Sequence, residues 1–437
     1  MRRALAVLLL TVCRLPAQDL PPEVLTLARI RAHVREAVER LPDCTCLETV
    51  DRFVKPRGKD PRRLDTVVLQ ILFSGGNELF ASPGDTHWET NPFAFLSSGM
   101  MANGLFALHL RSIFLNNQAI IKYHGMESPV GRPEARYDFD MSRMLSGYTV
   151  HHAGAAGRVA MHGSFWADPK TYDLRRVEFH AVDIPPELRY SDVSTAITYA
   201  RVRIGESDVL LPQAADLQTI GTDGLQDRDL IQFTHCQGYQ AESKLRFGDA
   251  NDAEPGPHPV AASLKPEAES MLPPDLRVII ALNDGFDERT AVGSLLEGKV
   301  VGTVAQKHKV LVPEGAPVKG RVRRLERYSD DGDYFTVGLE FTEVDTPDAN
   351  LRFYAELQDL DRLEGVEMAL RITRLVPGES GSGRSGHLAW TNVYRERIWT
   401  SEVPGVGLFF VRGGHFSLPA GFRTVWRTLA YPRSSVP

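Results

Sequence analysis

The chain has 437 residues, 43% of them hydrophobic and 24% charged, with 50 Lys and Arg against 56 Asp and Glu. This composition supplies more apolar residues than one ordinary core needs and excludes wholesale disorder. A net charge of −6 gives no basic surface for nucleic acid, so no nucleic-acid partner is expected.

The N-terminus reads as a secretory signal peptide over residues 1–17. Met1-Arg2-Arg3 is a basic start, and the apolar run from Ala4 to Val12 is too short to span a bilayer. Leu15-Pro16-Ala17 places a small residue before Gln18. Lipidation at Cys13 is the rival reading, but Leu10-Thr11-Val12-Cys13 has Val where a lipobox has a small residue. Periplasm or cell envelope is the expected location.

Pro21-Pro22 then open a helix whose Leu27, Ile30, Val34, Val38 and Leu41 recur at three and four residues, an amphipathic stripe in need of a cover. Weak alternation marks Leu47 to Lys55 as a strand. Leu64 to Phe73 is clearer, with Val67, Leu69, Ile71 and Phe73 on one face. Gly104 to Phe114 reads as a second helix. Strands follow at 119–124, 134–141 and 148–152. A hairpin comes next, turning at Asp168-Pro169-Lys170-Thr171. Its apolar face carries Val159, Met161, Phe165 and Ala167 before the turn, then Val177, Phe179 and Ala181 after it. Arg176, Glu178 and His180 take the other face. Further strands are expected at 197–204, 209–221, 229–237 and 239–247, with Thr222-Asp223-Gly224 as a hairpin turn.

Residues 249–275 change to Asp, Glu, Pro, Gly and His with little apolar order, and read as a linker between a domain at 20–248 and a second at 276–437. In the second, strands are expected at 277–282, 299–306, 310–313, 318–327, 334–343, 352–357, 367–375, 407–411, 415–418 and 422–429. The expected fold is mainly β with a few helices: a curved antiparallel half-barrel wrapped on helices, followed by a β-barrel or β-sandwich.

Motifs for catalysis are missing, and neither a catalytic residue nor a cofactor is assigned. Gly381-Ser-Gly-Arg-Ser-Gly386 fits a dinucleotide pattern literally, yet Pro377 stands before it and an extended stretch follows, so it reads as a loop. No metal site is assigned either. Adjacent His151 and His152 face opposite sides of a strand, Asp138 and Asp140 sit among arginines, and Asp330-Asp331-Gly332-Asp333 lacks a distal Glu. Cys44, Cys46 and Cys236 remain after cleavage. Export makes a disulfide available, and Cys44 and Cys46 are badly placed to bridge each other. Strand placement favours Cys46 with Cys236, with Cys44 as the competitor.

Gly163-Ser-Phe-Trp-Ala-Asp-Pro-Lys-Thr171, followed by Leu174-Arg-Arg-Val-Glu-Phe179, resembles the outer-membrane lipoprotein carrier family, the LolA/LolB-like fold. So do the preceding helix and the stretch with Phe106, His109-Leu110 and Ile113-Phe114. The resemblance covers residues 20–248 and implies an open, curved antiparallel sheet over helices that holds acyl chains or acts as a periplasmic sensor. Gly298-Lys-Val-Val-Gly-Thr-Val304, Val310-Leu-Val-Pro-Glu-Gly-Ala-Pro-Val-Lys-Gly-Arg-Val322 and Phe416-Ser-Leu-Pro-Ala-Gly421 resemble the periplasmic β-barrel of TrbI-like conjugation proteins.

Two functions stay open ahead of a third, weaker candidate, a hydrolase whose site is assembled from loop residues that no motif reveals. One is a non-enzymatic carrier or sensor in which Leu69, Ile71, Phe73, Met161, Phe165, Val177 and Phe179 bind a lipid, an acyl chain or a lipoprotein. The other is an interaction module with a filled core, docking another envelope protein through the second domain.

Overall fold

The computed structural model describes residues 20–239, 270–368 and 405–431, apart from 86, 97–98, 100, 129–130, 153–154 and 330–331. The leader at 1–17 with Cys13, most of the 249–275 linker and the 381–386 glycine motif lie outside the described residues. Among those that are described, no helix is long and apolar enough to cross a membrane.

Helix α1 spans Pro22–Glu39. Its N-terminal proline has no amide hydrogen to leave unbonded, and Ile30, Val34 and Val38 form the buried stripe the spacing predicts. Each such side chain adds roughly 1.5–3 kcal/mol when fully buried.

The helix lies against a ten-stranded antiparallel sheet. Its strands are β1 (Cys44–Lys55), β2 (Arg62–Ser74), β3 (Asn77–Ala81), β4 (Ile120–Glu127), β5 (Glu134–Met141), β8 (Ala160–Ala167), β9 (Leu174–Val182), β10 (Tyr190–Ile204), β11 (Ser207–Gly221) and β12 (Gln226–Gly238). A small separate hairpin, β6 (Thr149–His152) and β7 (Ala155–Arg158), packs on its margin. The order β3-β2-β1-β12-β11-β10-β9-β8-β5-β4 sets the first and last strands side by side in mid-sheet. Bulges in several ladders, among them β1–β12, β1–β2, β4–β5 and β10–β11, add the local twist that curls so wide a sheet.

The β8–β9 hairpin forms as its sequence predicts. Asp168 Oδ1 accepts the backbone N–H of Lys170 and of Thr171, which fixes the turn. On the outer face Trp166 lies between the guanidinium groups of Arg136 and Arg176, 5.3 and 4.0 Å from its ring centre, and its indole N–H donates to Glu127. That cover explains why Trp166 is buried on the side opposite the core. Gly163 is required: a Cβ there would come within 2.8 Å of Phe139 and Phe179 and 2.1 Å of the Glu178 carbonyl.

The second sheet begins at β13 (Ser270–Met271) and continues through β14 (Arg277–Leu282), β16 (Leu295–Val300), β19 (Pro317–Tyr328), β20 (Tyr334–Asp345), β21 (Asn350–Arg352), β22 (Ala355–Leu360), β23 (Val366–Met368), β24 (Val406–Arg412) and β26 (Arg423–Thr428). Two separate two-stranded antiparallel pairs accompany it, the long-range pair β15 (Phe286–Asp287) with β25 (Ser417–Leu418) and the hairpin β17 (Val304–Gln306) with β18 (Lys309–Val312). The order β13-β21-β20-β19-β16-β14-β26-β22, with β24 and β23 continuing from β20, makes a nearly closed barrel. Trp426 fills its middle, edge-on to Phe341 at 5.5 Å.

Two expectations need correction. The helix expected over 104–114 is only one α turn, Leu108–Leu110, continued by a π turn at Arg111–Leu115. The strand expected over 299–306 is two, broken at Gly302, whose φ of +76° no strand residue adopts. The strand expected at 229–237 is present as β12, while the one expected at 239–247 lies outside the described residues from 240 on.

The two sheets meet through β2. Val68 N–H donates to the Val292 carbonyl and Val292 N–H to that of Thr66, a parallel bridge between halves distant in sequence. Gly293, φ +95°, permits this contact, because a Cβ there would stand 2.4 Å from the Val68 carbonyl oxygen. Arg321 donates to the Pro83 carbonyl at 2.6 Å, and Arg62 to the carbonyl of Arg327.

Candidate functional site

The inner face of the first sheet is where the predicted ligand-binding residues fall. Leu69, Ile71, Phe73, Met161, Phe165, Val177 and Phe179 are brought together in one continuous core and are at most 3% exposed. Alternation on β2, β8 and β9 puts them there, and α1 covers part of the surface. The rest is covered by the irregular segment 101–115. Phe106 stacks beside Phe73 at 6.1 Å, Phe114 meets Phe165 edge-on at 4.8 Å, and His109 lies 4.9 Å from Phe179.

Polar attachments of this segment to the sheet are few. Glu78 at the start of β3 accepts the backbone N–H of Gly104 at 2.6 Å and of Phe106 at 2.8 Å. Tyr199 OH donates to the Leu105 carbonyl, and Arg111 to that of Gly76. A cavity of about 30 Å³ remains beside it, walled by Met101, His109, Tyr148, His151, Thr195 and Leu217 among others. It has room for one or two waters and none for an acyl chain.

The same inner face carries charges that the sequence reading missed. On β1, Glu48 and Arg52 alternate with Cys46, Val50 and Val54, all facing inward. Arg52 makes a two-pronged pair with Asp65 on β2, Nε–Oδ1 2.6 Å and Nη2–Oδ2 2.5 Å. Its Nη2 lies 3.7 Å from Oε1 of Glu326, which comes from β19 of the other half. Glu326 in turn accepts from Arg324 at 2.7–2.9 Å and from the Tyr328 hydroxyl. Arg52, Asp65, Arg324 and Glu326 are each almost wholly buried. Two guanidinium groups and two carboxylates balance, which is the condition for keeping such charges out of water.

Asp229, opposite Arg52 on β12, breaks that balance if ionised. Burial pushes its carboxyl up to about 8 in spite of Arg52. Glu78 is raised to about 7 by desolvation, against the two N–H groups it accepts. Both carboxylate oxygens of the fully buried Glu48 have no hydrogen-bond partner in the structure. Desolvation, with Glu78 and Asp229 nearby, holds its pKa well above the usual carboxylate range. Glu48 and Asp229 are therefore favoured neutral in the folded chain at pH 7, and Glu78 is favoured neutral only below it.

A pH dependence follows. A carboxyl raised by folding stabilises the fold below its unfolded pKa, and that contribution is lost as pH rises through the folded value. His109, lowered to about 4 by burial, works in the opposite sense but has finished by about pH 6.5. Between pH 6.5 and 8.5 stability should fall, by about 2 kcal/mol from Asp229 alone. Urea unfolding of the wild type and of Asp229→Asn checks this. The variant should flatten the slope; a wild-type stability that is constant or rising over that window would refute the assignment.

Cys46 and Cys236 form the predicted disulfide, and Cys44 is free and buried, its thiol pushed up to about 11 by desolvation. The β1–β12 register shows how Cys236 reaches its partner. A bulge lies between the pairs Thr45↔Gln237 and Leu47↔Thr234, and within it His235 takes φ +51°. The extra residue brings Cys236 to the same side as Cys46. Among the described residues no group of three or more His, Cys, Asp or Glu converges in a way that would hold a metal ion.

No family model and no curated protein matches the chain. Among solved structures it is partly similar to a LolA superfamily protein from Nitrosomonas europaea, at 10% identity over 50% of this chain and 96% of that one, with a TM-score of 0.28. ComB10 of the Com type IV secretion system of Helicobacter pylori matches at 13% identity, covering 37% of this chain and 92% of that one, TM-score 0.19. A DUF1329 family protein from Desulfovibrio piger matches at 10% identity, covering 51% and 95%, TM-score 0.27.

Proposed function

We propose that the chain is an exported, non-enzymatic envelope protein whose first half, residues 20–248, takes up an acyl chain or lipoprotein against the inner face of its sheet. One observation carries this reading: the apolar inner face is closed by a short irregular segment, 101–115, rather than by a second regular helix. Its contacts are mainly side-chain packing of Phe106 and Phe114 onto Phe73 and Phe165. A hydrocarbon chain offers those rings an equivalent surface, so exchange of segment for ligand needs little beyond release of the Glu78, Tyr199 and Arg111 bonds. The ligand enters by displacing the segment, since the cavity beside it is too small. The disulfide supports an oxidising compartment. In this reading residues 276–437 form a separate domain that docks another envelope protein.

The filled-core alternative is favoured by the smallness of that cavity and by the buried ion network joining the two halves. Native mass spectrometry of the purified chain, with displacement of a fluorescent fatty-acid probe, separates the two. About one bound lipid per chain and saturable displacement are expected. Neither lipid nor displacement would leave the filled-core module standing.

A further inference from the structure

On the outer face of the first sheet, well away from the apolar interior, two histidines stand directly opposite each other across the β8–β9 ladder: His162 pairs with His180. Both are exposed. The row continues on either side, because His162 is also opposite Asp140 on β5 and His180 is opposite Ser194 on β10. His162 Nδ1 lies 2.7 Å from Asp140 Oδ1, and His180 Nδ1 lies 3.2 Å from Asp192 Oδ1.

We infer that His162 and His180 form a two-histidine site for a borderline divalent cation such as zinc, nickel or copper(II). Side chains directly opposite on an antiparallel pair have Cβ atoms roughly 4.5–5.5 Å apart, close enough for two imidazoles to reach one ion at about 2.0–2.1 Å each. The carboxylates decide which nitrogens are available. The two nitrogens of an imidazole point in widely different directions. A ring whose Nδ1 is turned outward to a flanking aspartate therefore turns Nε2 back over the pair. Asp140 flanks on one side and Asp192 on the other, so both Nε2 atoms are left for a shared ligand. A ring N–H donated to a carboxylate while the other nitrogen binds metal is the usual second-layer arrangement of protein imidazole ligands, and it fixes the tautomer that binding needs.

The surroundings add no competing cation at the pair itself. On the same face the next cross-strand pair toward the turn is Ser164 and Glu178, and Glu178 is held by Arg176 at 3.3 Å. Toward the other end stand Ala160 and Val182. Water completes the coordination, as only two protein nitrogens converge. Other histidines of the described residues that face a carboxylate do so singly: His33 with Asp173, His87 with Glu89, His124 with Asp138 and His415 with Glu288. A cross-strand partner is what sets His162 and His180 apart.

The test is calorimetric titration of the full-length oxidised protein, free of any histidine tag, with zinc chloride at neutral pH. Saturable binding of one ion is expected. His162→Gln and His180→Gln should each abolish it, and Asp140→Asn should weaken it by roughly 10–100-fold, the range seen for the loss of such supporting carboxylates. His124→Gln, which removes a singly paired histidine two strands away, should leave it unchanged. All four side chains are surface groups, so far-ultraviolet circular dichroism should show each variant folded. A flat isotherm for the wild type, or affinity unchanged in both histidine variants, would overturn the site. Loss of binding in His124→Gln equal to that in His162→Gln would overturn it as well, by showing only scattered surface binding.

Discussion

Replacing Arg52 with alanine is expected to lower stability by about 3–5 kcal/mol, the loss seen when one partner of a buried ion pair is removed. The size follows from what stays behind. Asp65 would lose both of its bonds to the guanidinium, and Glu326 would lose the charge 3.7 Å away. Asp229 would lose the group that offsets its desolvation. All three are almost wholly buried. Glu326→Ala should cost a similar amount from the other side, since Arg324 and the Tyr328 hydroxyl both depend on that carboxylate. Urea unfolding of the two single variants and the double variant makes a cycle. If the pair couples the halves, the double variant should lose clearly less than the sum of the singles. Strict additivity would mean that each half keeps its own charges and that the Arg52–Glu326 contact of β1 with β19 is incidental.

How much of this was readable in the chain depended on the range of the interactions. Helix α1 and the β8–β9 hairpin were legible because their signals are local: apolar spacing at three and four residues, and Asp168-Pro169 at a turn flanked by alternation. The seven inner-face residues were legible for the same reason, as β2, β8 and β9 alternate cleanly. β1 looked weak because Glu48 and Arg52 occupy inward positions that a strand normally fills with apolar side chains. That irregularity was the available signal for the polar network, and it went unread because Glu326, which makes sense of Arg52, lies in the other half. Segment 101–115 misled for a related reason. Leu105, Phe106 and Ala107 are consecutive and all buried, which a helix on a sheet does not allow but an irregular plug enclosed on all sides does. The opposition of His162 and His180 needed the hairpin register, which the turn residues bound but do not fix to one residue.

Loss of the Cys46–Cys236 bridge is expected to cost about 5 kcal/mol at most, by the chain-entropy relation for a loop this long; the bridge spans 190 positions of sequence. Native structure argues for a large share of that value. β1 and β12 are neighbours in mid-sheet although they are the first and last strands of the half, so their pairing closes the whole set. Until they pair, Glu48 and Asp229 have no buried position and the inner face stays open on one side. The bridge keeps that long-range pairing available in the unfolded chain. Cys46→Ser/Cys236→Ser should therefore unfold at markedly lower urea than the oxidised wild type, and a reducing agent should bring the wild type close to the variant. Cys44→Ser should behave differently, because that thiol is free, buried and beside the bulge; its loss should cost no more than a small packing change. Peptide mapping without reduction should recover a Cys46–Cys236 cross-link. A Cys44–Cys236 peptide would mean the bulge lies elsewhere and the β1–β12 register is shifted. Equal urea midpoints for oxidised and reduced wild type would show that the pairing of the first and last strands does not rely on the bridge.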